Sequence, residues 1–261
     1  MDKIGISQHF DQAASIYDWV AAAQQQVAQT LTELIIKHTQ HSDCHSLCDI
    51  GTGTGAMAQL LLGKIPSIKH ISLNDFADNM LQHAKKKLTP LINPDTQSIR
   101  LIHQDMDQLT IKHIAAHDLI TSSLALQWSN QLETTLDYLS NRSKTLAFSC
   151  LSTDTFQEWR SLFEQLKFPS PTFNYPSVDE LRLLTHKIAA AHGKTNVITH
   201  TQIIPMRFVS PRAFIHYLKN LGANTHARAQ HKLSRQQWLQ FLAHHQTEVN
   251  VSYHVFFAVC F

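Results

Sequence analysis

Three glycines stand close together in the segment "CDIGTGTGAM", residues 48–57, although the chain of 261 residues has only 7 glycines. Glycine loses more conformational freedom on folding than other residues, so the cluster indicates a backbone that must stay free of side chains. The apolar run "SLCDI" precedes Gly51, Gly53 and Gly55, and the helix-like run "AMAQLLLGK" follows them. A strand, a glycine-rich turn and a helix in this order present backbone N–H groups and a helix N-terminus to a ligand.

The residues around the turn limit which ligand it could hold. The spacing is G-x-G-x-G, not the G-x-G-x-x-G of dinucleotide-binding proteins, and the absence of a following Gly-Lys-Ser/Thr excludes a P-loop. Asp49 lies just before the glycines, and its negative charge would repel a pyrophosphate but attract an ammonium group. S-adenosylmethionine combines an ammonium group with an adenosine, so the turn favours this methyl donor.

Two further acids follow the next two predicted strands. Asp75 ends the strand "IKHISLND", where a carboxylate can accept hydrogen bonds from both ribose hydroxyls. Asp105 follows the third strand, in "HQDMDQL", and could accept from the adenine amino group while Met106 packs on the ring. Each acid alone could equally cap a helix. Their recurrence at the carboxyl ends of successive strands, where open α/β sheets bind ligands, is the more specific signal.

Short strands alternate with helices as far as residue 166, a pattern typical of parallel βαβ units and a doubly wound α/β sheet. One or two helices are expected in the first forty residues. The proline-rich "KFPSPTFNYPS" reads as a linker or lid loop, and Pro211 and Gly222 mark the start and stop of a later helix. Two late strands, "NVITHTQIIPMRFV" and "EVNVSYHVFFAVCF", would complete the sheet.

The composition is that of an ordinary soluble globular protein, with 43% hydrophobic and 16% charged residues. The N-terminus lacks the apolar core of a secretory signal, and no apolar run approaches the roughly 20 residues that span a bilayer. We therefore expect a cytoplasmic protein with no membrane partner. The cysteines lack zinc-site spacing, so we expect no metal and four small buried side chains: Cys44, Cys48, Cys150 and Cys260.

Charge is distributed unevenly along the chain. Residues 1–150 carry 11 Lys and Arg against 14 Asp and Glu, whereas residues 151–261 carry 11 against 6. The basic C-terminal section would suit an acidic partner, although solvated surface lysines would give the same count. No long block of one sign is present, so nucleic-acid binding is not favoured.

The segments "CDIGTGTG", "LNDFADNML" and "QDMDQL" resemble the seven-stranded class I methyltransferases that use S-adenosylmethionine. The resemblance implies a Rossmann-like seven-stranded sheet with helices on both faces and a helical lid or insertion. It also implies a methionine side lined by Asp49 and the glycines, a ribose held by Asp75, and an adenine beside Asp105 and Met106. The cofactor-binding residues implied in this way are Asp49, Gly51, Thr52, Gly53, Gly55, Asp75, Phe76, Met80, Asp105, Met106 and Ser122.

Other segments are similar to the malonyl-carrier-protein O-methyltransferases of biotin synthesis: "FDQAASIYDWVA", "HDLITSSLALQWSNQLETTL", "IHYLKNLGAN" and "SYHVFFAV". This resemblance implies esterification of the free carboxylate of a malonyl thioester on an acyl carrier protein, which is typically acidic. It also implies one methyltransferase domain over residues 1–261, which we expect to be monomeric. Its expected parts are an N-terminal helical cap (1–40), a donor-binding core (41–166), a lid with a late strand (167–232), and a C-terminal helix with a closing strand (233–261).

A carboxylate with a pKa of about 4 is already ionised at neutral pH, so this reaction needs no general base. The residues expected at the reacting groups therefore orient and enclose them. Tyr17 would close over the methyl donor, Trp128 would form a wall of the acceptor pocket, and Lys219 would steer the substrate carboxylate. Lesser candidates for steering are Arg182, Arg212 and His216.

Three alternatives remain at the level of sequence. A methyltransferase for another small carboxylate or a quinone ring would keep the fold, and ring methylation would need a base such as His103 or His9. Complex I assembly factors of the arginine-hydroxylating type are also similar, but they tend to have His before the tryptophan, where this chain has Gln127. A non-catalytic protein that keeps the ligand pocket is the third.

Overall fold

The computed structural model describes residues 3–15, 17–222 and 233–261. The strands are β1 (Ser46–Ile50), β2 (His70–Asp75), β3 (Ser98–His103), β4 (His117–Ser123), β5 (Ser143–Leu151), β6 (Val197–Phe208) and β7 (Val249–Cys260). The α-helices are α1 (Lys3–Ala13), α2 (Tyr17–Val20), α3 (Ala22–His38), α4 (Ala56–Lys64), α5 (Asp78–Leu88), α6 (Leu132–Asn141), α7 (Gln157–Gln165), α8 (Val178–Ala191), α9 (Pro211–Asn220) and α10 (Arg235–His244).

The seven strands form one sheet in the order β3-β2-β1-β4-β5-β7-β6. Strands β1 to β5 pair in parallel, while β7 runs antiparallel between β5 and β6. The predicted α/β sheet, including its two late strands, is therefore confirmed. The chain passes from β1 outward to β3 on one side and from β4 outward on the other, so β1 and β4 flank the switch point where such sheets bind ligands.

Successive strand residues face opposite sides of the sheet and build two hydrophobic cores. Leu47 and Phe257 belong to a core that α3, α4, α5, α7, α9 and α10 cover. Cys48 and Phe256, each one position away, belong to a second core that α6 and α8 cover. Helices therefore pack on both faces, as the alternation of strands and helices predicts. All four cysteines are buried, as expected, and they form no disulfide bond with one another.

The N-terminal part contains more helices than its sequence indicates, because α1, the single turn α2 and α3 replace the one or two helices expected there. The later helix follows its prediction closely. Pro211 occupies the first turn of α9, where its missing N–H is not needed. Gly222 follows the helix with a φ of 72°, a conformation that favours glycine. Among the described residues, no helix is long and apolar enough to cross a membrane.

Candidate active site

The glycine turn lies between β1 and α4, and its three glycines all have positive φ. At Gly51, a Cβ would lie 2.3 Å from the Cβ of Ala125, so the turn can approach the segment after β4 only without a side chain. At Gly53, a Cβ would meet nothing within 4 Å, because the residue faces open space. Gly55 instead packs against Ala84 of α5, where a Cβ would lie 3.1 Å from the alanine Cβ.

Asp75 connects the end of β2 to the glycine turn. Its carboxylate accepts hydrogen bonds from the backbone N–H of Gly53 (2.9 Å) and of Ala77 (3.0 Å). A carboxylate offers about four lone-pair positions, so these two bonds leave it able to accept from further hydroxyl groups. Burial raises the pKa of Asp75 to about 6, although the backbone hydrogen bonds oppose that shift.

Asp49 is buried at the end of β1, where Thr52 Oγ1 donates to it at 2.7 Å and Thr121 Oγ1 at 2.8 Å. Burial raises the pKa of Asp49 to about 6, and the nearby charge of Asp75 raises it further. The hydrogen bonds from the two hydroxyl groups act in the opposite direction and lower the pKa. Two buried carboxylates therefore share one region. A cationic ligand beside them would favour the ionised form of both.

These groups surround a cavity with about 790 Å³ of empty space, including its mouth. It lies at the carboxyl ends of β1, β2 and β4, at the switch point of the sheet. We call it the donor cavity. The sequence-predicted residues that line it are Tyr17, Asp49, Gly51, Thr52, Gly53, Asp75, Phe76, Met80, Met106 and Trp128.

Four sequence-predicted residues lie elsewhere. Gly55 packs against α5, as described above. The Asp105 carboxylate accepts from the N–H of Asp107 and caps the turn that follows β3. Ser122 is fully buried in the sheet, where its Oγ donates to the Ile50 carbonyl. Lys219 lies exposed on α9 and lines neither this cavity nor the one beside it.

The polar residues of the donor cavity that the sequence interpretation missed are Gln24, Thr54, Asn74, Gln104 and Ser123. The Asn74 amide donates to the carbonyls of Ile102 and Gln104, while its buried Oδ1 has no partner among the described residues. Asn74 could have been found, because it directly precedes Asp75 at the end of β2. Gln24 gives no such signal, because it reaches the cavity only through the packing of α3.

The N-terminal helices cover the donor cavity. The Phe10 ring of α1 packs edge-on against Trp128, with ring centroids 5.4 Å apart. Asp18 of α2 accepts from Thr54 Oγ1 of the glycine turn at 2.5 Å and forms an ion pair with Lys87 of α5. These contacts hold α2 at the cavity, which Tyr17 lines together with the glycine turn.

A second cavity adjoins the first and has about 530 Å³ of empty space. We call it the acceptor cavity. Aromatic and apolar side chains dominate its lining, and no charged side chain lines it within the described ranges. The two cavities share five residues: Phe10, Tyr17, Gln24, Leu124 and Trp128. Those found only in the acceptor cavity are Gln127, Leu151, Phe156, Phe173, Tyr175, Leu218, Leu221 and Tyr253.

The other candidates for steering or acid–base chemistry also lie outside both cavities. Arg212 and His216 are exposed on α9, and Arg182 pairs with Asp179 on α8 at 2.7 Å. His103 Nε2 lies 3.1 Å from the Phe76 carbonyl oxygen at the edge of the sheet, and His9 belongs to α1. The described residues therefore place no acid–base dyad at either cavity.

The donor cavity suits S-adenosylmethionine. Its two acids can receive an ammonium group and ribose hydroxyls, its glycine turn leaves open space, and Asn74 Oδ1 offers an unused acceptor. Among the described residues, no group of three His, Cys, Asp or Glu could hold a metal ion.

Comparison with known proteins agrees with this geometry. A family model described as "Methyltransferase domain" matches residues 47–145. A malonyl-[acyl-carrier protein] O-methyltransferase from Neorickettsia risticii is 32% identical over 219 residues, which are 84% of this chain and 82% of the relative. The chain belongs to the malonyl-[acyl-carrier protein] O-methyltransferase family. It is an S-adenosylmethionine-dependent methyltransferase, and the family resemblance seen in the sequence is confirmed.

Two more similarities extend this result. A biotin biosynthesis bifunctional protein, BioCD, from Bordetella avium is 30% identical over 230 residues, which cover 87% of this chain and 45% of that protein. The solved structure of the YcgJ protein from Bacillus subtilis superposes with a TM-score of 0.58 at 13% identity, covering 89% of this chain and 97% of that one. The second similarity concerns the fold alone.

Proposed function

We propose that this enzyme transfers the methyl group of S-adenosylmethionine to the free carboxylate of a malonyl thioester carried by an acyl carrier protein, in the synthesis of a biotin precursor. The relatives' names supply the substrate class. The observation that carries the proposal is the pair of adjoining cavities, which share Tyr17 and Trp128 and have no acid–base dyad in the described residues.

The chemistry fits such a site. The bound donor supplies a methyl group already activated by a sulfonium, and the acceptor carboxylate is ionised at neutral pH, so neither needs a base. Asp49 and Asp75 orient the donor, and Tyr17 and Trp128 enclose the boundary between the cavities. The protein contributes alignment and the exclusion of water, which can lower a barrier by several kcal/mol.

The proposal also names an acyl carrier protein as the carrier of the malonyl group. The net positive charge of residues 151–261 would attract an acidic carrier protein, and this attraction should weaken with salt. The absence of a described base at the acceptor cavity favours oxygen methylation over ring methylation, for which His9 or His103 would have to act.

The test is a methyl-transfer assay with the full chain. Purified enzyme is incubated with isotopically labelled donor and malonyl carrier protein, with malonyl-coenzyme A in parallel, and the products are weighed by mass spectrometry. The expected product is the malonyl species carrying one additional methyl group. An Asp75→Ala enzyme that keeps its fold should form none, because the donor is not held. Failure of the wild-type enzyme to methylate either species would overturn the proposal.

A further inference from the structure

Four of the chain's 5 tyrosines converge at the acceptor cavity. Tyr17, Tyr175 and Tyr253 line it directly. Tyr217 lies behind them: its side chain contacts that of Tyr253, and a charge on its phenol would also act on Tyr17. The four come from separate parts of the fold: α2, the segment before α8, α9 and β7. Their meeting is therefore a property of the tertiary structure.

Three phenols of this cluster hold their protons more tightly than a free phenol does. Burial raises the pKa of Tyr17, Tyr217 and Tyr253 above the ordinary value, and the neighbouring phenols raise the pKa of Tyr17 and Tyr253 further. A protonated phenol can donate a hydrogen bond, so the cluster offers O–H donors at neutral pH.

The rest of the lining contributes polarity without charge. Besides the tyrosines, the polar side-chain groups that line the acceptor cavity within the described residues are the amides of Gln24 and Gln127 and the indole N–H of Trp128. The Gln24 Oε1 atom is buried without a hydrogen-bond partner among the described residues. Rotation of the Gln24 amide by half a turn would bring its NH₂ group to the position that Oε1 occupies. The cavity thus has neutral donors where a substrate acid would otherwise meet Lys or Arg.

We propose that the acceptor cavity is a carboxylate-binding site in which the hydroxyl groups of Tyr17, Tyr175 and Tyr253 hold the acid of the substrate in place of a basic side chain. This inference rests on the proposed function, which supplies the acidic acceptor. A hydrogen bond from a neutral donor to a carboxylate is charge-assisted and directional. Tyr17, which lines both cavities, would place the acid next to the donor cavity.

A cation at the same place would oppose the reaction in two ways. Its charge would repel the sulfonium of the bound donor across the shared wall, in a cavity where burial strengthens the repulsion. A close ion pair would also withdraw electron density from the attacking oxygen. Phenol donors avoid the repulsion and leave the carboxylate its negative charge. The cluster should therefore select an acid over a neutral group of the same shape.

The test compares ligands that differ only in that charge. Malonyl-pantetheine carries the carboxylate, and acetoacetyl-pantetheine replaces it with a methyl ketone. Binding of each to the enzyme loaded with S-adenosylhomocysteine is measured by calorimetry. Tyr253→Phe and Tyr175→Phe keep the ring and remove only the donor. Each should weaken binding of the acid about tenfold and binding of the ketone less, because a hydrogen bond to a neutral carbonyl is weaker than one to a carboxylate. Binding of S-adenosylhomocysteine should stay unchanged.

The fifth tyrosine provides a matched control. Tyr138 lies on α6, and its hydroxyl donates to the Ile114 carbonyl at 3.4 Å, away from both cavities. Tyr138→Phe removes the same atom and should leave binding of the acid unchanged.

Three results would overturn the inference: a wild-type enzyme with no preference for the acid, phenylalanine variants that keep that preference, or a Lys219→Met variant that loses it. The proposed function can fail independently of this inference. If acid binding depends on the phenols but the enzyme forms no methyl ester, the carboxylate-binding site is supported and the proposed reaction is refuted. If the phenylalanine variants bind the acid as the wild type does and still form the ester, the reaction is supported and the carboxylate-binding site is refuted.

Discussion

Asp49 and Asp75 bring two carboxylates into one buried cavity, and burial raises the pKa of each to about 6. Below that pH both take up protons in the donor-free enzyme, whereas a cationic donor binds the ionised forms. We therefore expect the affinity for S-adenosylmethionine to fall between pH 7 and pH 5 by roughly tenfold for each carboxyl group. Calorimetry in buffers of different ionisation enthalpy should record proton release on binding. An affinity independent of pH would contradict this.

Replacing Asp49 separates donor binding from stability. The folded protein raises its pKa above the unfolded value, so its contribution to stability is fully present below about pH 4 and is lost as the pH rises through about 6. Asp49→Asn should therefore raise the free energy of unfolding of the donor-free enzyme at pH 7 by on the order of 1 kcal/mol. Donor affinity should fall. Thermal unfolding with and without S-adenosylhomocysteine measures both effects, and a variant less stable without ligand would refute the argument.

The glycine turn allows a paired comparison. Gly51→Ala and Gly53→Ala both place a side chain at positive φ, which costs roughly 1–2 kcal/mol. Only Gly51→Ala also brings a Cβ within 2.3 Å of Ala125, so it should be clearly the less stable of the two in denaturant unfolding. Gly53→Ala should stay folded and lose donor affinity, because its methyl group enters the cavity. Equal stability of the two variants would argue against this geometry.

Residues at strand ends were the most predictable. Asp49, Asp75 and the glycines follow from the strand–turn–helix pattern, because backbone geometry alone brings them to one edge of the sheet. Asp105 and Ser122 do not line the donor cavity, whereas their chain neighbours Gln104 and Ser123 do, so their assignment to the donor stays a prediction. The difference depends on the direction of each side chain, which the pattern does not determine.

At the scale of elements, Asp18 connects α2 to two other parts of the fold. Asp18 bonds to Thr54 of the glycine turn and pairs with Lys87 of α5. The ion pair is partly exposed, so solvent screens it and its removal should cost no more than about 1 kcal/mol. Asp18→Ala should speed amide exchange over Tyr17–Val20 and accelerate donor dissociation by up to roughly fivefold.

Asp95→Ala is the control for this change. Asp95 is exposed in the loop before β3, at the amino end of that strand, whereas the donor cavity lies at the carboxyl ends of the strands. It removes the same charge without touching α2. Equal exchange and dissociation rates in both variants would mean that Asp18 does not hold the helix.

The helices differ in how far the sequence determines them. The run "VDELRLLTHKIAAA" forms α8, and Ser177 and Glu180 form a capping box that fixes its start. The single turn α2 has no comparable local signal, since tertiary contacts such as the Asp18 ion pair stabilise it. Sequence patterns therefore predict the self-capped helix and miss the one held by its neighbours.

At the scale of the molecule, the sheet order places the donor cavity at the switch point between β1 and β4, and the N-terminal helices and α9 close the acceptor cavity beside it. The sequence predicts the first arrangement through alternation and glycine spacing. It does not predict the second, since four tyrosines far apart in the chain meet only after folding. The division into cap, core, lid and closing segment stays a prediction, and residues 223–232 of the lid lie outside the described residues.

The most direct test of the whole account is a crystal structure of the enzyme with S-adenosylhomocysteine and malonyl-pantetheine. We expect the ribose on Asp75, the amino acid part beside Asp49, the sulfur at the wall formed by Tyr17 and Trp128, and the malonyl carboxylate just beyond it. A nucleoside bound away from Asp75, or a malonyl acid outside the acceptor cavity, would contradict the account.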